Sequence, residues 1–172
     1  MATPRERLVE WLRDAHAAEE QAQTVLRRTA SQIEDHQEFC AGLERHGERS
    51  GEQADRLKQC LEDLGEGTSL LKELTGQITA FGQTLSGYVV GDEPVKAVLA
   101  TATMAHMEVT SYRILAVTAK AAQETDIART CDILLAEEVD FADWLDQQAP
   151  IVTQEYLARE QGAAREMSNA AS

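Results

Sequence analysis

An all-α fold follows from three features of this 172-residue chain. Ala, Leu, Glu and Gln are plentiful, and only 3 Pro and 10 Gly interrupt them, a composition that favours helix. Aromatic residues make up 5% of the chain and β-branched runs are short, which disfavours strands. Apolar residues recur at spacings of three and four over segments of twenty residues or so, the signature of amphipathic helices. Together these features predict a four-helix bundle of two helical hairpins. A shorter helix lies in the crossover, and a C-terminal helical extension follows. The bundle is assigned to residues 1–150, and the extension with a frayed tail to 151–172.

Thr3-Pro4-Arg5-Glu6 signals the first helix, with Thr as N-cap, Pro in the first turn and Glu three residues after the cap. Its stripe reads Leu8, Leu12, Ala15, Glu19, Ala22, Leu26, Thr29, and polar residues interrupt it near Ser31 to Asp35. The second helix is expected from about Glu34 to Leu64. Phe39, Leu43, His46, Ser50, Gln53, Leu57, Leu61 and Leu64 share one side, and Gly42, Gly47 and Gly51 lie along its middle. Gly65 to Thr68 ends it. The crossover helix is placed at about Ser69 to Ser86 and a loop at Gly87 to Gly91. Asp92 is a suitable N-cap, with Pro94 in the first turn, for a third long helix reaching about Ala122. Thr125 can cap a fourth from Asp126 to about Gln148, which Pro150 breaks or kinks. Ile151 to Met167 can form a further helix before a frayed SNAAS tail.

The net charge of −14, with scattered Lys and Arg, argues against nucleic acid as a partner. No run approaches the ~18 apolar residues of a membrane span, and the charged start MATPRERLVEWLRD is unlike a signal peptide. Cys40, Cys60 and Cys131 are odd in number and lack C-x-x-C spacing, so free thiols in a reducing cytoplasm are expected.

Three acids stand inside apolar stripes. Around Glu108 the stripe reads Val98, Ala102, Ala105, Glu108, Tyr112, Leu115; around Glu138 it reads Ile127, Cys131, Leu134, Glu138, Phe141, Leu145. Glu19 is the third. A buried carboxylate must be paired, hydrogen-bonded, protonated or metal-bound. Counting from the two hairpin loops at 1.5 Å per residue brings the three within about one helical turn of each other. His46 lies at the same depth, and Tyr112 can hydrogen-bond a ligand carboxylate. Carboxylates with imidazole suit iron or manganese. Ferritin-like dimetal sites use one Glu from each of two helices and a Glu-x-x-His pair from each of the others. Here Phe141 stands where Glu138 would need its histidine. The glutamates can instead be held by Arg49, Arg113, His106, Tyr112 or water. His16 and His36 read as surface or helix-end residues, Trp11 and Trp144 as packing anchors, and Met104 and Met107 as core or subunit-contact residues.

Four segments then carry a resemblance. LRDAHAAEEQAQTVL (Leu12 to Leu26), HGERSGEQADRLKQCLEDLGE (His46 to Glu66), AHMEVTSYRILAVTAKAAQETD (Ala105 to Asp126) and LLAEEVDFADWL (Leu134 to Leu145) resemble, in order, the helices of the YciF-like family of ferritin-like proteins. The third is the most specific. The resemblance implies a ferritin-like bundle, usually dimeric, associated with bacterial stress responses and without an established reaction. Glu19, His46, Glu48, Glu108, Glu137 and Glu138 fall on its polar motif positions. Arg49 stands where the family has a second Glu, and Ala105 replaces an acid.

The expectation is therefore a stress-associated, cytoplasmic homodimer. Its partial carboxylate layer of Glu19, His46, Glu48, Glu108 and Glu138 binds iron or manganese weakly, without catalytic residues. The alternative is a metal-free structural or interaction protein that kept the bundle and lost the dimetal site. An oxidase or peroxidase would need a redox-active metal with open coordination positions.

Overall fold

The computed structural model describes residues 1–66 and 94–170. Four helices account for nearly all of them: α1 (Pro4–Gln32), α2 (Gln37–Asp63), α3 (Pro94–Ala121) and α4 (Thr125–Ala170). The expected crossover helix, the Gly87–Gly91 loop, the Asp92 cap and the last two residues of the tail lie outside the described residues.

Helix α1 begins with the expected capping box. Glu6 N donates to Thr3 Oγ1, and Thr3 N donates back to the Glu6 carboxylate. The two hairpins pack as antiparallel pairs, α1 with α2 and α3 with α4. Arg5 fixes one end of the bundle by donating from Nη2 to Leu64 O (2.8 Å) and from Nε to Glu124 (3.4 Å). The last turn of α2 and the α3–α4 turn therefore sit together. Helix α3 accordingly starts at the opposite end from where α2 stops, which is crossover connectivity.

At that opposite end the chain departs from expectation. Helix α4 does not stop near Gln148; it runs through Pro150 to Ala170 as one helix. Proline removes one backbone hydrogen bond and clashes in a helix interior, at a cost of about 3 kcal/mol. Contacts on the far side offset this. Val152 is buried in the core, Glu155 lies 2.8 Å from His36 Nδ1, and Arg159 binds Asp35 through both its carbonyl (2.6 Å) and its carboxylate (2.9 Å). His36 is the N-cap of α2, as its helix-end reading suggested, but it is buried rather than superficial, and so is His16.

The core falls into two apolar clusters. One, at the Arg5 end, holds Leu8, Leu12, Leu57, Leu61, Leu115 and Leu134; the other holds Leu26, Phe39, Leu43, Val98, Met104 and Leu145. On every helix the switch from one cluster to the other falls at the predicted polar layer. Met104 is core, whereas Met107 is only half-buried. The glycines of α2 make room for neighbours. A Cβ at Gly42 would overlap the Trp144 indole, and one at Gly51 would overlap the Gln23 amide.

Helices α2 and α3 end in the same way. In α2, Glu66 N donates to Leu61 O (3.0 Å) and Gly65 takes φ 82°; in α3, Glu124 N donates to Ala119 O (3.0 Å) and Gln123 takes φ 63°. Both are Schellman-type ends, but only glycine is at ease in the left-handed region. Gln123→Gly is expected to stabilise the protein by about 1 kcal/mol, read as a raised urea midpoint at unchanged slope. A lowered midpoint would show that the Gln123 side chain contributes more than its backbone strain costs.

Candidate metal centre

Each helix sends one ionisable side chain into the layer between the two apolar clusters. These are Glu19 from α1, His46 from α2, Glu108 from α3 and Glu138 from α4, all at most 4% exposed. Ser50 and Gln53, both wholly buried, extend the layer along α2. The inward stripe of α2 steps from His46 to Ser50 to Gln53, so Glu48, two residues from His46, falls on the exposed face. The expectation that Glu48 completes the site is thereby corrected. Arg49 and Arg113 are also exposed and do not reach the layer. His106 lies outside it, 3.3 Å from Asp146.

His46, Glu108 and Glu138 each offer a ligand atom within 4.8 Å of the others. His46 Nε2 lies 3.3 Å from Glu138 Oε1, but the pair lacks hydrogen-bond alignment. Glu19 stands beside this trio and accepts a hydrogen bond from the Tyr112 hydroxyl at 2.6 Å, as the helical spacing allowed. Buried oxygens remain without a hydrogen-bond donor among the described residues: Glu19 Oε2, Glu108 Oε2 and both oxygens of Glu138.

The electrostatics follow from burial. Loss of hydration first, and the Glu138 charge second, raise the Glu19 carboxyl from its ordinary 4.5 to about 8. The Tyr112 hydroxyl and the nearby Ser50 hydroxyl, which lacks hydrogen-bond alignment, work against that rise. Burial, then the charges of Glu19 and Glu138, hold Glu108 well above the carboxylate range. Burial and the Glu19 charge likewise keep the Tyr112 phenol protonated.

Two surroundings were not visible in the sequence. The imidazole of His46 stacks on Phe141, with ring centroids 3.5 Å apart and planes 9° from parallel. Glu137, one step round α4 from Glu138, takes Gln53 Nε2 at 3.0 Å and Arg56 Nη1 at 2.9 Å. These partners hold it at the edge of the layer, close enough for its charge to add a small part to the rise of the Glu19 carboxyl. Between α1 and α3 a groove of about 900 Å³ has Glu19, Glu108 and Tyr112 among its lining, with Trp11, Met107 and Ile114.

This donor set fits a metal ion. Three ligand atoms held by one ion at about 2.0–2.2 Å stand about 3 to 3.8 Å from one another. Atoms that lie within 4.8 Å of one another draw in by about 1 Å to reach those distances.

The raised carboxyls also make stability pH-dependent. Between 4.5 and about 8 the folded protein keeps a proton on Glu19 that the unfolded chain has released, so stability falls as pH rises through that window. With chelator present, denaturant unfolding is expected to show a loss of several kcal/mol across it. Glu19→Gln should make the profile shallower, leaving the slope that the raised Glu108 carboxyl contributes. An equally steep profile in that variant would remove Glu19 as its source.

Comparison with known proteins places this architecture among relatives. The model of a domain of unknown function, DUF892, matches residues 3–158. The crystal structure of protein XCC3681 from Xanthomonas campestris pv. campestris is 33% identical, with a TM-score of 0.77 over 92% of this chain and 99% of that one. The Escherichia coli stress protein YciF shares the fold at 19% identity, with a TM-score of 0.73 over 90% of this chain and 99% of its own. YcfI from Rhodopseudomonas palustris does so at 24% identity, with a TM-score of 0.71 over 85% and 94%.

Proposed function

The chain belongs to the DUF892 family of YciF-like proteins, and from that premise we propose that it is a stress-associated, ferritin-like protein whose buried layer binds iron or manganese weakly. The observation that carries this reading is the convergence of unpartnered donors from four helices on one layer. His46, Glu108 and Glu138 are the ligands, and Glu19, oriented by Tyr112, is the further carboxylate. Hard carboxylate oxygens with one imidazole and no thiolate suit these two metals. The ion supplies the positive charge that replaces the protons held by Glu19 and Glu108, so metal uptake strengthens as pH rises. The name of the Escherichia coli relative, a stress protein, supports the physiological setting, and no reaction is assigned. The unpaired state of Cys40, Cys60 and Cys131 supports a cytoplasmic location. Among the described residues no helix is long and apolar enough to cross a membrane. Neither a membrane nor nucleic acid is proposed as a partner.

A metal-free structural role is the second reading. The protons on Glu19 and Glu108 favour it, because they neutralise much of the layer without an ion. Ferrous ion offered anaerobically separates the two. On the metal reading wild type binds it stoichiometrically, Glu108→Ala and Glu138→Ala lose it, and chelator lowers the melting temperature of metal-loaded protein. A melting curve indifferent to chelator, with no metal by elemental analysis, establishes the metal-free role.

We further propose a homodimer formed through α3. Helix α3 buries one face, while Leu99, Ile114 and Val117 stand exposed on the other, and apolar side chains grouped on an exposed face mark a protein contact. Light scattering is expected to give twice the chain mass for wild type and the chain mass for Ile114→Glu/Val117→Glu. A monomeric wild type refutes the dimer.

A further inference from the structure

We propose that Phe141 is a positioning residue for His46, and that the pair makes the layer a site for one ion rather than two. This inference rests on the metal-binding reading above and concerns how this chain fills a gap in the ligand pattern.

A dimetal layer draws its two nitrogens from histidines one turn beyond paired glutamates. Beyond Glu138 that place is taken by Phe141, which has no donor atom. The nitrogen comes instead from α2, where His46 lies flat against the phenyl ring at 3.5 Å between centroids and 9° between planes. Two rings packed face to face at van der Waals distance leave the imidazole little freedom to tilt. His46 is 4% exposed, so solvent offers it no alternative orientation. The stack leaves Nε2 3.3 Å from Glu138 Oε1. Phe141 is held in its turn, because Trp144 stacks at 5.8 Å from it and at 6.0 Å from Phe39. The Trp144 indole is lodged where Gly42 has no side chain. The aromatic row thus fixes the imidazole as an outer shell of hydrogen bonds would fix it elsewhere.

The residues around this row disfavour a second ion. The next carboxylate along α4, Glu137, is occupied by Gln53 and by the Arg56 guanidinium at 2.9 Å. A cation drawn to Glu137 would face that fixed positive charge. The other inward residues of α2, Ser50 and Gln53, are neutral and weak ligands, and no second histidine joins the cluster among the described residues.

Cobalt(II) titration with visible absorption tests both parts, because band position and intensity report ligand geometry separately from affinity. Wild type is expected to bind one Co(II) per chain. Phe141→Leu should bind it at least about tenfold more weakly with an altered spectrum, and Phe141→Tyr, which keeps the ring, should restore both. In metal-free protein the ring protons of His46 should resonate upfield of those of the other three histidines. That measurement on wild type stands whether or not the leucine variant folds. Absence of any cobalt binding by wild type overturns the metal reading and this inference together. Two ions per chain leave the metal reading intact and overturn the single-ion claim. Wild-type affinity and spectrum in Phe141→Leu, or an unshifted His46, overturn the positioning role alone.

Discussion

A carboxylate taken from water into a helical core loses hydration worth several kcal/mol unless a proton, a donor or a cation replaces it. This chain makes that demand at Glu19, Glu108 and Glu138 within one layer, and the surrounding structure answers to it. The apolar core is divided in two by the layer. Tyr112 gives its hydroxyl to Glu19, and His46 comes in from the remaining helix. Without the two apolar clusters above and below, the layer would fill with water and the carboxyls would return to ordinary acidity.

Much of this was legible in the sequence because helical periodicity projects directly onto burial. Glu19, Glu108 and Glu138 interrupt otherwise apolar stripes, and counting residues from the hairpin turns gave their common depth. His46 followed from the same stripe. Glu48 was assigned from a family motif, against the period of its own helix, and the period prevailed. Contacts between helices were not legible. Nothing in the spacing of α2 and α4 says that His46 will lie on Phe141 or that Arg56 will take Glu137, because such pairs depend on helix rotation and side-chain rotamers. Pro150 misled for a related reason. Its effect on the backbone is local, while the contacts of Val152, Glu155 and Arg159 that carry the helix past it are tertiary.

The small residues of α2 show how a costly sequence choice is settled by packing. Three glycines weaken a helix by roughly 1 kcal/mol each relative to alanine. At Gly42 the return is a seat for Trp144, and through the aromatic row a fixed imidazole in the polar layer. Tolerance of a methyl group at Gly42 would require the row to move, so a residue with no ligand atom of its own, one helical turn from His46, is coupled to the geometry of the centre.

The unbroken α4 has a hydrodynamic consequence. Arg159 lies level with the α1–α2 turn, so residues 160–170 stand about 16 Å beyond it at 1.5 Å per residue. A rod of that length increases drag without adding appreciable mass. Such a protein elutes early from a sizing column and diffuses slowly, as though it were heavier than 18.9 kDa. Its apparent size in any flow-based assay therefore reports the length of one helix as well as the number of chains.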